Sequence, residues 1–174
     1  MAHVIEPATS GRAKCRGCKQ PIAKDELRLG ERLPNPFGDG EMTLWFHPLC
    51  AAFKRPETLL AALESTEASI QDRETLQEAA QCGVDHPHLP RLDGVRRAST
   101  GRARCRSCRE LIAQDSWRIA LVSFEDGRFD PAGYLHASCS RAHFGSPDIL
   151  PRLRRFQPDL TDADVLELEA ELGS

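Results

Sequence analysis

The chain is short of lysine, of aromatic residues and of long apolar runs. Its 23 basic residues are 19 arginines and four lysines, and its 174 residues hold one tyrosine, two tryptophans and seven phenylalanines. No apolar stretch approaches the roughly 20 residues a membrane-spanning helix requires, so no inserted helix and no membrane partner are expected. The N-terminal Met-Ala-His-Val-Ile-Glu-Pro has neither a basic segment nor an apolar core, so no secretory leader is expected either. Lys24-Asp25-Glu26-Leu27 spells an endoplasmic-reticulum retention signal, but that signal is read only at a free C-terminus and here lies inside the chain.

What the chain does have is cysteine, seven residues in all. Without a leader, a disulfide framework is a poor account of them, and metal is the better one. Internal repetition sets the architecture. Gly11-Arg12-Ala13-Lys14-Cys15-Arg16-Gly17-Cys18 returns as Gly101-Arg102-Ala103-Arg104-Cys105-Arg106-Ser107-Cys108, an offset of 90. Phe46-His47-Pro48-Leu49-Cys50 returns as Leu135-His136-Ala137-Ser138-Cys139 at an offset of 89, so the second copy loses one residue in between. Ile70, Asp72 and Leu76 match Leu160, Asp162 and Leu166, again at 90.

The repeat divides the chain into a flexible tail over residues 1–8, a first module over 9–82, a Pro- and Gly-rich linker over 83–98 and a second module over 99–174. Leu27, Leu29 and Leu33, and in the second copy Trp117 to Val122, predict a strand after each Cys pair. A second strand runs through Leu44-Trp45-Phe46 or Tyr134-Leu135, with Asp39-Gly40 or Asp126-Gly127 turning between strands. Pro56 opens a helix, Asp72 caps another that stops near Gly83, and Thr161 or Asp162 caps a third with Val165, Leu168 and Leu172 on one stripe. The expected class is α+β: two small zinc-stabilised modules, each a short antiparallel sheet with trailing helices.

Six cysteines and two histidines make two sets, Cys15, Cys18, His47, Cys50 and Cys105, Cys108, His136, Cys139. A two-residue gap lets both thiolates of one turn face one ion, and Cys3His is the closed donor set of structural zinc. Two Zn2+ ions are expected. In modules with thin cores, a metal worth roughly 10–16 kcal/mol in small finger peptides decides whether the chain folds. The long gap to the His excludes the short ββα finger. Cys82, His86 and His88 lie close together and are read as linker residues rather than a third site.

Charge is segregated. Gly11 to Gly30 carries a net +4 and Arg96 to Arg118 a net +5, while Glu57 to Ala79 has six acids against one Arg and Thr161 to Ser174 has five acids and no base. Three thiolates and Zn2+ leave a formal −1 at each site, which needs one compensating cation, not four or five. The surplus suits phosphate, and the excess of Arg over Lys suits phosphate forks, although a GC-rich genome would produce the same bias. The two turns also repeat an apolar pair, Phe37 with Met42 and Phe124 with Phe129. At a nick or end, such a pair can stack on an uncovered base for roughly 1–3 kcal/mol; otherwise it is minor hairpin core.

At these residues the chain resembles the zinc fingers of the poly(ADP-ribose) polymerase type, also found in a eukaryotic DNA ligase. The resemblance rests on Ser10-Gly11-Arg12-Ala13-x-Cys15-x-x-Cys18, Ile22, Leu27-Arg28 and Trp45-Phe46-His47-x-x-Cys50. It recurs at Thr100-Gly101-Arg102-Ala103-x-Cys105-x-x-Cys108, Ile112, Trp117-Arg118 and Tyr134-Leu135-His136-x-x-Cys139. It implies zinc-dependent recognition of nicked or broken duplex DNA by structure rather than sequence. Arg12, Arg28, Arg102 and Arg118 would contact phosphates near the discontinuity, joined by Lys14, Arg16, Arg104 and Arg106 of the basic faces, and the hairpin pairs would stack on bases. The family carries its large apolar residue immediately before the Asp-Gly turn, where this chain has Gly38 and Glu125 with Phe one place earlier.

No length is left for a catalytic domain and no lysine begins a Lys-x-Asp-Gly adenylation site, so a non-enzymatic nick sensor is expected, holding DNA for a repair enzyme such as a ligase. Two fingers on a short linker gain from high effective concentration. The rival expectation is a zinc-stabilised protein-interaction adaptor working through its acidic helices. The expected location is the nucleoid of a bacterial cytoplasm or a eukaryotic nucleus.

Overall fold

In the computed structural model, which describes residues 2–173, the chain forms two compact units that divide between Asp85 and His86. The first unit contains strands β1 (Val4–Pro7), β2 (Leu27–Pro34) and β3 (Glu41–Phe46) in one antiparallel sheet of order β1-β2-β3. Alternation buries Leu29, Leu44 and Phe46 on one side, and Ile22, Leu59, Leu63 and Ala80 complete a core of fully buried side chains. Helices α1 (Pro48–Lys54), α2 (Pro56–Ser65) and α3 (Arg73–Asp85) follow, and Pro48 and Pro56 each stand in the first turn of theirs. A buried carboxylate ties sheet to helices. Glu31 on β2 accepts two bonds from Arg55 Nε and one from Arg55 Nη2 at 2.6 Å, and Thr58 Oγ1 donates to it at 2.9 Å.

The second unit repeats the plan with strands β4 (Leu92–Arg97), β5 (Trp117–Glu125) and β6 (Arg128–His136) in the order β4-β5-β6. Helices α4 (Ser140–Phe144), α5 (Leu150–Phe156) and α6 (Asp162–Leu172) follow a 3-10 turn at Ala137–Cys139. The expected cap of α6 is present as a reciprocal box: Asp164 N–H donates to Thr161 Oγ1, and Thr161 N–H to the Asp164 carboxylate. Leu168 and Leu172 are its buried stripe. The repeat extends to backbone strain, for Lys19 and Arg109 (φ 64° and 68°) and Asp25 and Asp115 (φ 69° and 65°) sit in the left-handed region at matching places.

Two expectations about domain limits are corrected. The tail of residues 1–8 is structured at Val4–Pro7, because Val4 and Ile5 pair with Gly30 and Leu29 along β2. The linker of residues 83–98 is largely regular: it holds the end of α3, a 3-10 turn at Leu89–Arg91 and β4. Leu89, Leu92 and Val95 are buried there, Pro90 opens the 3-10 turn, and Gly94 leaves room for Gln157, whose Oε1 would lie 2.7 Å from an added Cβ. The Pro and Gly that read as a linker serve packing instead.

The residue lost in the second copy falls in the hairpin. The first unit joins β2 to β3 by a loop over residues 35–40 that ends in Asp39-Gly40, whereas β5 and β6 are joined by Asp126-Gly127 alone, both at positive φ (50° and 76°). Two residues of that hand fit the twist of a tight hairpin.

Candidate metal centres and nucleic-acid face

Each zinc knuckle lies between the first and second strands of its sheet. In the first unit, Lys19 N–H donates to Cys15 O at 2.8 Å and Cys15 N–H to Gln20 O at 2.9 Å, so the turn presents both sulfurs to one side. His47 precedes α1 and Cys50 lies in its first turn, which brings the distant half of the set to the same place. Gly17 is required by this approach, since a Cβ there would lie 2.8 Å from that of Cys50.

The four donor atoms of each set lie within 4.8 Å of one another. His47 Nδ1 is 3.3 Å from Cys18 Sγ and 4.0 Å from Cys50 Sγ; His136 Nδ1 is 3.3 Å from Cys108 Sγ and 3.8 Å from Cys139 Sγ. A zinc tetrahedron with ordinary Zn–S and Zn–N lengths has sulfur–nitrogen edges of about 3.5 Å. The sets fit. Backbone N–H groups of Gly17 and His47 donate to Cys15 Sγ at 3.3 Å, and those of Ser107 and His136 to Cys105 Sγ at 3.4 Å, which spreads the thiolate charge.

The imidazoles bind through Nδ1, and their other nitrogen fixes the ring. His47 Nε2 lies 3.7 Å from the Glu26 carboxylate, whose other oxygen accepts Ala23 N–H at 2.8 Å. In the second unit, Ser116 holds the Glu26 position, and His136 Nε2 instead donates to Leu111 O at 3.0 Å. The second is a hydrogen bond of the kind that orients metal-bound histidines, and the first is a longer charge contact on the same side of the ring.

Protonation shows what each set demands. Hydrogen bonding with the Cys15 and Cys18 sulfurs pushes His47 up to about 10, and hydrogen bonding with Cys15 and Cys50 pulls Cys18 far below an ordinary thiol. Burial works against Cys105, yet backbone N–H groups of Cys108, His136 and Ser107 pull it down to about 6. Burial and the charge of Cys105 push Cys139 up to about 12. In the second set one thiolate forms readily and opposes the next, a conflict that a bound cation relieves. These are two structural zinc sites, with all four places filled by protein and none left for a reacting water. Among the described residues no third metal group forms; His88 of the expected linker trio packs instead against His143, ring centroids 5.1 Å apart.

Around the knuckles, Arg12, Lys14, Arg16, Arg102, Arg104 and Arg106 are all exposed, and none forms an ion pair among the described residues. Arg28 is different. It is 6% exposed, its guanidinium carbon stands 3.6 Å above the Trp45 ring, and its Nη2 donates to Glu6 at 2.9 Å. The expectation of an open phosphate ligand there is corrected, because cation–π stacking and a carboxylate already occupy the group. Arg118, half-buried, stands 3.9 Å above Tyr134 with no acidic partner among the described residues. Gly30 lets Trp45 cross the strand, its added Cβ meeting that ring at 2.6 Å, and Ala120 answers it beneath the smaller Tyr134.

The hairpin pairs also diverge. Phe37 is 81% exposed, with its N–H held by Asn35 Oδ1 at 3.0 Å, while Met42 is half-buried opposite Leu33 on β3. Phe124 and Phe129 pack on each other, centroids 4.8 Å apart across the tight turn. Of the four residues expected to stack on bases, Phe37, in the longer loop of the first hairpin, is the one that is exposed. Sequence reading missed Glu6, Glu26 and Glu31, whose roles depend on strand register.

Residues 6–86 match the family described as the poly(ADP-ribose) polymerase and DNA-ligase zinc-finger region. Over 140 residues, 72% of this chain, the chain is 31% identical to a poly(ADP-ribose) polymerase of Drosophila melanogaster, and over 138 residues 28% identical to that of Sarcophaga peregrina. It spans only 14% of either enzyme. A polynucleotide 3'-phosphatase ZDP of Arabidopsis thaliana is 25% identical over 197 residues, covering 97% of this chain and 28% of that protein. What matches is a zinc-finger region, not a catalytic domain.

Proposed function

Residues 6–86 are a zinc finger of the poly(ADP-ribose) polymerase and DNA-ligase family, and from that premise we propose that the chain binds nicked or broken duplex DNA without acting on it chemically. The observation that carries this reading is the set of six exposed, unpaired cations on the two knuckles. Backbone phosphates are the partner such groups fit, and they are met without regard to base sequence. Phe37 supplies the preference for a discontinuity. An aromatic so exposed has no use along intact duplex, whereas a cut strand uncovers a base face on which it stacks. A cut also makes bending cheap, so the DNA folds towards the cations. Enzymes that act on polynucleotide ends, as the name of the plant phosphatase relative indicates for that protein, are the class of partner that a held break would serve.

The test is an anisotropy titration of intact, nicked and single-stranded DNAs of equal length, with zinc-loaded and chelated protein. The nicked duplex is expected to bind about tenfold more tightly than the intact one, with a log–log salt slope of about −0.9 per phosphate neutralised, and chelation to abolish binding. Equal, weak binding to all three overturns the reading and favours an adaptor working through the acidic helices.

A further inference from the structure

The two sheets are built to one register, yet they differ in charge at one pair of opposed positions. On the first sheet Glu6 stands directly opposite Arg28, and on the second Arg96 stands directly opposite Arg118. Directly opposed residues of an antiparallel pair share a face, so each couple projects on the same side as the stacked aromatic, Trp45 or Tyr134. The Glu6 couple closes on itself with a 2.9 Å ion pair. The Arg96 couple cannot close.

Among the described residues nothing on the second unit replaces the missing carboxylate. The Nε of Arg118, like that of Arg28, is buried with no hydrogen-bond partner among the described residues; what differs is that Arg96 is exposed and that neither Arg96 nor Arg118 forms an ion pair among the described residues. Arg97, the neighbour on the other face, is matched by Glu167. Asp159 and Asp164 line a recess of about 400 Å³ that Arg96 also borders, but the first accepts from Gln157 and the second from Thr161 N–H, and neither pairs with Arg96. Like charges set opposite each other across a ladder repel. Their arrangement is favourable once an anion lies between them, and two guanidinium forks match the oxygens of a phosphate.

We infer that Arg96 and Arg118 together hold a phosphate group of the bound DNA, and that the second finger alone has this site. The inference rests on the proposed DNA binding and adds Arg96 to it. Its first-unit counterpart is already neutralised by Glu6, so the couple in the second unit grips the backbone while the couple in the first braces its own sheet.

The test uses the full, zinc-loaded chain and the variants Arg96→Gln and Arg96→Glu. Nicked duplexes carrying a 5′-phosphate or a 5′-hydroxyl at the nick are titrated across a salt series. Arg96→Gln is expected to make the log–log slope shallower by about 0.9, and Arg96→Glu to weaken binding about tenfold or more. If the group held is the terminal phosphate, the wild type prefers the phosphorylated nick and Arg96→Gln loses that preference; if it is an internal diester, both DNAs weaken equally.

A second readout needs no DNA. Arg96→Glu restores the ion pair of the first unit, so its thermal midpoint should rise by a few degrees, and inorganic phosphate, against chloride at equal ionic strength, should raise the wild-type midpoint more than that of the variant. If the wild type binds no nicked DNA, the proposed function falls while this phosphate difference still reads the site. Arg96→Glu binding DNA with wild-type affinity and slope, or melting below the wild type, overturns the inference.

Discussion

Replacing Glu31 by Leu tests how the first zinc site is held. The Glu31 side chain is 1% exposed and receives three short contacts from Arg55 and one from Thr58. Arg55 links α1, which carries Cys50, to α2, so this carboxylate pins the helix bearing one zinc ligand to the sheet. Removing one member of a buried pair costs about 3–5 kcal/mol, mostly through the charge left behind. The Arg55 side chain is 25% exposed and water screens part of that charge, so about 2–3 kcal/mol is expected here. For a unit of this size that lowers the midpoint by about 10–20 °C. The assay is a heating scan read by circular dichroism together with a colorimetric zinc indicator. One of the two zinc equivalents should leave early, and the other at the wild-type temperature. Adding Arg55→Leu should recover much of the loss, since a well-packed apolar pair often equals a buried ion pair. An unchanged first transition would refute the claim that Glu31 holds α1 in place.

Two further outcomes follow from exposure and protonation. Phe37→Ala should leave the thermal midpoint unchanged, because the ring is 81% exposed, yet weaken nicked-duplex binding by about fivefold to a hundredfold; unchanged affinity would remove it as the stacking residue. In the metal-free first unit His47 is raised from 6.5 to about 10, so the stabilisation by its proton is complete below 6.5 and fades as pH rises through 10. Zinc must displace that proton and those of any thiols still protonated, so its apparent affinity at this site should rise at least about tenfold per pH unit within that window. Competition against a chelator at several pH values reads the slope, and a flat profile would mean the imidazole enters the site already neutral.

The eight ligands were legible in full, because a Cys pair and a His-Cys pair at fixed spacing, repeated once, allow little else. The inner strands were legible because apolar residues recur at alternate positions in part of each, Leu27, Leu29 and Leu33 in β2 and Trp117, Ile119 and Leu121 in β5. The outer strands β1 and β4 were not. Each is short, β1 ends in Pro7, and β4 contains Gly94 at an irregularity in its pairing, so local composition argues for a loop while pairing to a neighbour makes a strand. Once those strands were missed, so was everything that depends on their register. Arg28 reads as a free cation until Glu6 is placed opposite it, and the stack on Trp45 requires the close approach that Gly30 permits. The hairpin pairs failed differently. One residue is lost between copies and both strands run on further in the second, so a loop over residues 35–40 gives way to a two-residue turn with Phe124 packed on Phe129, while Phe37 in the longer loop lies in solvent.

The same comparison explains why a duplicated backbone need not have duplicated work. Three acids of the first unit each engage a positively charged or protonatable partner: Glu6 meets Arg28, Glu26 faces His47, and Glu31 binds Arg55. At the positions 90 residues on stand Arg96, Ser116 and Leu121, none of them acidic. Leu121 is 6% exposed, so one exchange substitutes apolar packing for an ion pair. Ser116 gives up the carboxylate near the zinc histidine, and a carbonyl takes over its orienting task. Arg96 reverses a sign outright. All three exchanges act in one direction, taking negative charge away from the sheet and knuckle while the acidic helix α6 keeps its own. Under the proposed DNA binding, a polyanion would therefore meet the less compensated positive face on the second unit and a partly self-neutralised one on the first. Phe37 reverses the asymmetry, since the open aromatic is on the first unit and its counterparts are packed away on the second. On the proposed reading, phosphate grip and base stacking, the two requirements of recognising a cut strand, are thus weighted towards different copies of one fold.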